Sequence, residues 1–358
     1  MQTETRKFLE ELLTTPGISG DEQRVQSVVR AYAESFCDTV ETDLHGNLIM
    51  GINPDADFRI MLAGHCDQIG MIVSYIDEAG FAYVQTVGGW DPQQLIGQRV
   101  VIWSAKGPIP GVISRKPIHL LDDSERKTVV KLQDLWIDLG AASADEARQL
   151  IQVGDSVTVE MRVTELQNQM VTAAALDNRT GVWVVVEALR RAKLAGATVG
   201  VYAVSTVAEE IGLRGAKTSA ERVKPTVGIA VDVTHGTDCP TIDKRQQGDI
   251  GLGKGPVIVR GPNMNTEVVK ALLKVANDSA ISYQMAALGR AAPNDSNALQ
   301  ISGKGVAAGL VAIPNRYMHS AVEVCSLRDL EAGAQLLGQF CSNVKSTDCF
   351  IPQDPSDS

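Results

Sequence analysis

Two apolar runs, Val199–Val207 and Val227–Val233, carry a single charged side chain between them, Asp232, and this pattern constrains the fold more than any other feature of the chain. A strand with one wet face alternates apolar and polar residues, whereas a strand buried on both faces of a parallel sheet does not. A third short run, Phe58–Ala63, has the same texture and ends at Gly64-His65. Helical patterns surround these strands. Val25, Val28, Val29, Tyr32 and Phe36 recur at helical intervals, and Thr180–Lys193 gathers Val182, Val185, Val186 and Leu189 on one face. Asn265–Asn277, Ser296–Ile301 and Leu327–Val344 read as further helices, with Val306–Ile313 as a strand between the last two. The expectation is an α/β fold, of the kind that displays functional groups outside the carboxyl ends of its strands.

Between Ile69 and Arg162 the texture changes. Gly70–Ile76, Phe81–Val87, Arg99–Ser104, Gly111–Arg115, Leu135–Leu139 and Ser156–Met161 are short β-type runs separated by Gly, Pro and Asp, with one short helix at Asp145–Val153. They predict a small all-β barrel or sandwich inserted into the α/β domain. The expected parts are 1–68 and 171–345 for the α/β domain, 69–170 for the insert, and a disordered polar tail at 346–358. Earlier, His45-Gly46-Asn47 reads as a turn between strands at Thr39–Asp43 and Leu48–Gly51. Ser19–Glu22 and Ser326–Asp329 both have capping-box spacing.

With 33 basic against 43 acidic residues the net charge is −10, which argues against nucleic acid and anionic membranes as partners. No basic segment precedes an apolar stretch at the N-terminus, and no apolar run is long enough to span a bilayer. The six cysteines lack any C-x-x-C pair and read as reduced thiols, so a cytoplasmic protein is expected.

The chemistry lies in five polar clusters, each just after an apolar run or at the head of a helix: Gly64–Asp67, Leu176–Arg179, Glu209–Gly212, Val231–Val233 and Tyr317–Ser320. Imidazoles with carboxylates make the mixed N/O donor set that zinc or cobalt accepts. His65 and Asp67, spaced i, i+2, would point the same way if the strand persists, so Asp67 could hold one ring nitrogen while the other binds metal. A plain His–Asp hydrogen bond pinning a loop is the alternative. Asp177 stands where a helix N-cap would, or could bridge two cations with its two oxygens. Glu209-Glu210 follows a buried strand, where adjacent side chains point opposite ways. That suits a division into one metal ligand and one general base. Asp232 is either a capping or turn residue or a ligand, and His319 is either a structural histidine or a ligand. His45, His119 and His235 are left as structural.

The clusters Gly-His-Cys-Asp-Gln-Ile-Gly, Ala-Leu-Asp-Asn-Arg, Glu-Glu-Ile-Gly-Leu-Arg-Gly, Val-Asp-Val-Thr-His and Arg-Tyr-Met-His-Ser resemble those of the M42 metallo-aminopeptidases. So do Gly88–Pro92, Lys116–Leu120 and Leu252–Pro256, and the likeness runs from about Thr14 to Val344 in the family's order. The resemblance implies a mixed-sheet α/β/α zinc-peptidase domain with two divalent metal ions, zinc or cobalt, per subunit. His65 and Asp232 would hold one ion, Glu210 and His319 the other, and Asp177 would bridge them. Glu209 would be the general base for a water held between the metals, Asp67 would orient His65, and the substrate's free α-amine would bind a metal. The family also implies peptide substrates and a homo-oligomer in which the insert builds dimers that assemble into a hollow tetrahedral dodecamer. Ile96, Val101 and Trp103 are expected to be exposed for that purpose. Two positions depart from the family pattern: Gln68 stands where a glutamate is common, and Ala292-Pro-Asn-Asp295 replaces a more usual Gly-Thr-Asp.

Other motifs fail. Gly248–Gly255 nears the P-loop but has glycine where the magnesium-binding hydroxyl must be, and reads as a structural turn. A nucleophile elbow is absent. Glycoside hydrolysis, a label sometimes attached to proteins of this family, would leave five ligand-type residues unexplained. A non-catalytic scaffold would have lost ligands that this chain keeps.

Overall fold

The computed structural model describes residues 1–352. Four parallel strands form the middle of an eleven-stranded mixed sheet, in the order Gly200–Thr206, Arg59–His65, Val227–His235 and Ala307–Arg316. Every residue of Gly200–Thr206 is buried, as its continuous apolar run requires. The turn at His45–Asn47 joins Thr39–Thr42 to Leu48–Ile52, and this hairpin adds antiparallel to one side of the parallel set.

Helices cover both faces. Gly64 packs against Gly181 of the helix Leu176–Leu194, while Gly228 packs against Leu299 of Asp295–Gln300. Gly228 lies opposite Met61, three residues from Gly64, so strand alternation puts these two helices on opposite sides of the sheet. Thr3–Thr14 and Leu327–Asn343 join Leu176–Leu194, and Arg214–Val223 joins Asp295–Gln300. The result is an α/β/α domain with one large core.

Gly70–Ile76, Ala82–Val87, Arg99–Ser104, Gly107–Ser114, Trp136–Asp138 and Ser156–Val159 close into a separate six-stranded barrel with its own core. Its surface is only partly as expected. Ile96 is exposed, but Val101 and Trp103 are half-buried. Trp103 Nε1 donates to Thr158 Oγ1 and the Arg24 guanidinium lies over its ring.

Five short strands had no sequence signal: Thr164–Glu165, Met170–Ala173, Val257–Arg260, Gln284–Ala287 and Glu323–Ser326. The first capping box does not form, because Ser19 Oγ donates to Asp67 and Glu22 Oε1 accepts from Gly20 N and Ala208 N. At the second, Ser326 caps its helix, but Asp329 accepts from Gly253 N and Gly255 N, each at 2.7 Å. The glycine-rich turn is thus wrapped around a carboxylate of its own chain. The stretch from Ser346, expected to be disordered, packs Phe350 into the main core beside Phe58 and Phe340. The rest of that expectation, 353–358, lies outside the described residues. The described cysteines form no disulfide, and no described helix is long and apolar enough to cross a membrane.

Candidate metal centre

The strand Arg59–His65 ends by delivering His65 to the carboxyl edge of the sheet. Ala230 lies opposite Ala63 on the neighbouring parallel strand, which brings Asp232 level with His65. His65 Nε2 is 3.2 Å from Asp177 Oδ1 and 3.7 Å from Asp232 Oδ1. On the other side, His319 Nε2 is 3.4 Å from Asp177 Oδ2 and 3.4 Å from Glu210 Oε2. Asp177 therefore turns one oxygen to each imidazole.

Asp177 does not cap its helix. The backbone is non-helical at Asp177 and Asn178, and Asn178 Oδ1 takes the capping bond from Gly181 N at 3.0 Å. Asn178 Nδ2 donates to Val231 O, tying this segment to the strand of Asp232. The approach depends on Gly64, where a Cβ would sit 2.7 Å from the Gly181 carbonyl carbon.

Glu209 and Glu210 lie on the turn after Gly200–Thr206 rather than in the strand, so strand alternation does not separate them. Asp67 organises the turn instead. Its Oδ1 accepts from Glu209 N at 3.1 Å, and its Oδ2 accepts from Glu210 N at 3.2 Å and Ser19 Oγ at 2.6 Å. Glu209 Oε2 points towards His65 Nε2, 3.8 Å away, while Glu210 reaches His319. Toward His65, the nearer contact is the Asp67 carbonyl oxygen, 3.0 Å from Nδ1, against 3.5 Å for the carboxylate.

Two residues that sequence reasoning missed complete the frame. Glu323 accepts from Asp177 N and from His319 N, each at 2.8 Å. Asp295 is buried, with Oδ2 accepting from Thr206 Oγ1 at 2.6 Å and Oδ1 unpartnered. The faint signal for Glu323 was an acid in the middle of the short apolar stretch Ala321–Cys325 after His319; Asp295 was noticed only as part of a divergent motif. The barrel also reaches in. His319 Nδ1 lies 2.9 Å from the carbonyl oxygen of Gly89, which follows the barrel strand Ala82–Val87. His45, His119 and His235 are exposed and lie outside this cluster.

Neither divergent position touches a metal donor. Gln68 Oε1 accepts from the buried Arg179 guanidinium, which also binds the carbonyls of Leu12, Thr15, Gly17 and Cys66. Asn294 caps the helix Asp295–Gln300.

Asp67, Asp177, Glu209, Glu210, Asp232, Asp295 and Glu323 crowd together, and among the described residues no lysine or arginine pairs with any of them. Burial raises most of these carboxyls. It drives Glu209 up to about 10 against the pull of His65, with Asp232, Asp295 and Glu210 adding to the rise. Burial and Asp177 push Glu210 to about 8, and burial pushes Asp295 to about 7. Burial beside Asp177 also raises Glu323. Burial opposes ionised Asp177 too, but the two imidazoles overcome it and hold it below the usual carboxylate range. The Asp177 hydrogen bond is the main reason that His319 rises to about 9. For His65, burial works against the charge, and Glu209, Asp177, Asp232 and Asp67 outweigh it.

Buried carboxyls with no lysine or arginine beside them are costly to ionise, and bound cations would offset that cost. The residues fit them. Donor separations of 3.2–3.7 Å lie close to the edges of a tetrahedron whose arms are about 2.0–2.2 Å, the usual zinc–oxygen and zinc–nitrogen lengths. Glu210 Oε1 is buried with no hydrogen-bond partner, leaving a donor free. Two candidate groups meet at His65: one with Asp177 and Glu210, the other with Glu209 and Asp232.

A buried imidazole–carboxylate cluster at the carboxyl edge of an α/β/α sheet is the hallmark of a metal-dependent hydrolase. The profile of the M42 glutamyl aminopeptidase family matches residues 46–336. Lysyl aminopeptidase from Pyrococcus furiosus is 32% identical over 354 residues, covering 97% of this chain and 99% of its own. The TET aminopeptidase from a marine sediment Thaumarchaeota archaeon superposes with a TM-score of 0.91 at 33% identity, covering 96% and 97% of the two chains. The TET1 peptidase of Pyrococcus horikoshii, which can assemble into a tetrahedron or a large octahedral shell, gives 0.84 at 30% identity, covering 95% and 100%. The chain belongs to the M42 peptidase family and is an aminopeptidase, of a family that depends on metal.

Proposed function

We propose that this centre holds two divalent cations, zinc or cobalt, and removes N-terminal residues from peptides with Glu209 as general base. The observation that carries the reading is the division of Asp177, one oxygen toward His65 and the other toward His319. His65 and Asp232 would hold one cation, Glu210 and His319 the other, and Asp177 would belong to both. When bound, the cations supply Lewis acidity that polarises the scissile carbonyl and acidifies the attacking water. Glu209 stands beside this space, its Oε2 3.8 Å from His65 Nε2, so once ionised it would take the proton of the attacking water and return it to the leaving amine. Asp67 holds the Glu209 and Glu210 amides and so keeps base and ligand apart. Glycoside hydrolysis would leave both imidazoles without a role.

Assembly is part of the same reading. The insert exposes Val112, Ile118, Leu120 and Val129, with Leu120 67% exposed. Apolar surface of this kind suits a homo-oligomer, and a dodecamer built from dimers accords with the TET-type relatives. The free thiols accord with a cytoplasmic protein.

The test is metal-stripped protein reloaded with Zn²⁺, Co²⁺ or Mn²⁺ and screened on aminoacyl chromogenic substrates, each beside its N-acetylated form. Two ions per chain and cleavage of the free-amine forms alone are expected. One ion per chain, or equal cleavage of the acetylated forms, overturns the mechanism. A monomer by light scattering at micromolar concentration overturns the assembly.

A further inference from the structure

The mechanism uses seven acidic and imidazole side chains but says nothing of Glu323. It is 2% exposed, and its two oxygens accept from the backbone N–H groups of residues 142 positions apart, Asp177 and His319, each at 2.8 Å. Asp177 and His319 themselves meet at 3.4 Å.

Both segments need holding. Ala175 has φ 65, Tyr317 φ 63 and His319 φ 62, all in the left-handed region that residues with a Cβ disfavour. A chain free to relax would leave these conformations and draw the two donors apart. Glu323 is itself well anchored. It pairs with Ala173 in the antiparallel ladder of Glu323–Ser326 with Met170–Ala173, the strand that leads directly into Ala175 and Asp177. Val322 N donates to Ser320 Oγ on the other side. The carboxylate thus spans the space between a strand-fed segment and a loop, with one oxygen for each.

We propose that Glu323 is a positioning residue. It sets the spacing of Asp177 and His319, and thereby the affinity of the cation position that those two share with Glu210. The inference rests on the two-cation reading above. Because Glu323 binds main-chain amides and not the donor atoms, changing it shifts donors without removing any. Gln at this position offers one acceptor and turns an NH2 toward the other amide, so one of the two braces must open.

The experiment is Co²⁺ titration of metal-free, full-length protein, followed by visible absorption and calorimetry. Wild type is expected to take two ions. Glu323→Gln is expected to bind the ion held by His319 and Glu210 about 10–100-fold more weakly, the usual effect of disturbing a ligand's supporting partner, and the other ion, which shares only Asp177, markedly less so. Glu323→Asp, which keeps the charge but is one methylene shorter, is expected to weaken the same position. Far-UV circular dichroism checks that each variant is folded, and if the Gln variant is not, the Asp variant decides by the same titration. Unchanged affinity at both positions, or equal weakening of both, overturns the proposal. Wild type that takes fewer than two ions overturns the two-cation reading as well, and does so before any variant is made.

Discussion

Replacing Asp67 with asparagine keeps the shape of the side chain and removes one acceptor oxygen. In the structure those oxygens take Glu209 N, Glu210 N and Ser19 Oγ. With the remaining oxygen kept by Ser19 and Glu210, the new NH2 faces Glu209 N and a buried donor loses its partner. A hydrogen bond to a charged group contributes about 1.5–3 kcal/mol, so the productive turn should become about 10–150-fold less populated. Turnover at saturating metal should fall by that order, and denaturant unfolding should register a similar loss of stability. Kinetics of Asp67→Asn, Glu209→Gln and the double variant separate the routes. If Asp67 works through the turn, adding Asp67→Asn to Glu209→Gln costs little more, because the base is already gone. Fully additive losses would refute this reasoning and place the effect of Asp67 at His65 instead.

Glu209→Gln should keep both cations and lower kcat about 10²–10⁴-fold with little change in KM, whereas Glu210→Gln should weaken cation binding in a metal titration. The opposite pattern would exchange their roles. In chelator the protein should lose stability as pH rises: Glu210 at about 8 and His319 at about 9 both sit above their unfolded values, so the folded state holds the extra protons that alkali removes. Melting temperatures measured from pH 5 to 9 should therefore decline, and a rise across that window would contradict the charge arrangement. Metal loading must expel these protons, so cation addition at neutral pH should release acid to a pH-stat. Gly64→Ala should cost about 1–3 kcal/mol in denaturant unfolding, because its Cβ would sit 2.7 Å from backbone atoms that cannot swing aside. A loss below about 0.5 kcal/mol, the range of surface changes, would mean that the helix can retreat.

Long-range order was legible where burial imposes a pattern. Val199–Val207 and Val227–Val233 read as strands covered on both faces, and the six short runs of the insert mapped onto six barrel strands. Four-residue strands such as Glu323–Ser326 are too short to show a period, so the element that carries Glu323 went unseen. Local polar motifs misled for a different reason. Ser19 and Glu22 have the spacing of a capping box, but Asp67 and the Ala208 amide compete for them, and tertiary contacts won. Asp177 was open between cap and ligand because spacing cannot say which of two adjacent polar residues turns inward; Asn178 took the cap. Asp295 stayed hidden because, unlike Asp232, it lies in no apolar run that would mark its carboxylate as buried.

Gly89 belongs to the barrel by chain position and to the candidate metal centre by contact, with its carbonyl 2.9 Å from His319 Nδ1 and its missing Cβ leaving room for the ring. An insert that only glued subunits together could be exchanged between lineages, or lost, without touching the chemistry. This one could not. Whatever replaced it would have to bring its own acceptor to the same imidazole, so the barrel supplies part of the site as well as an apolar surface.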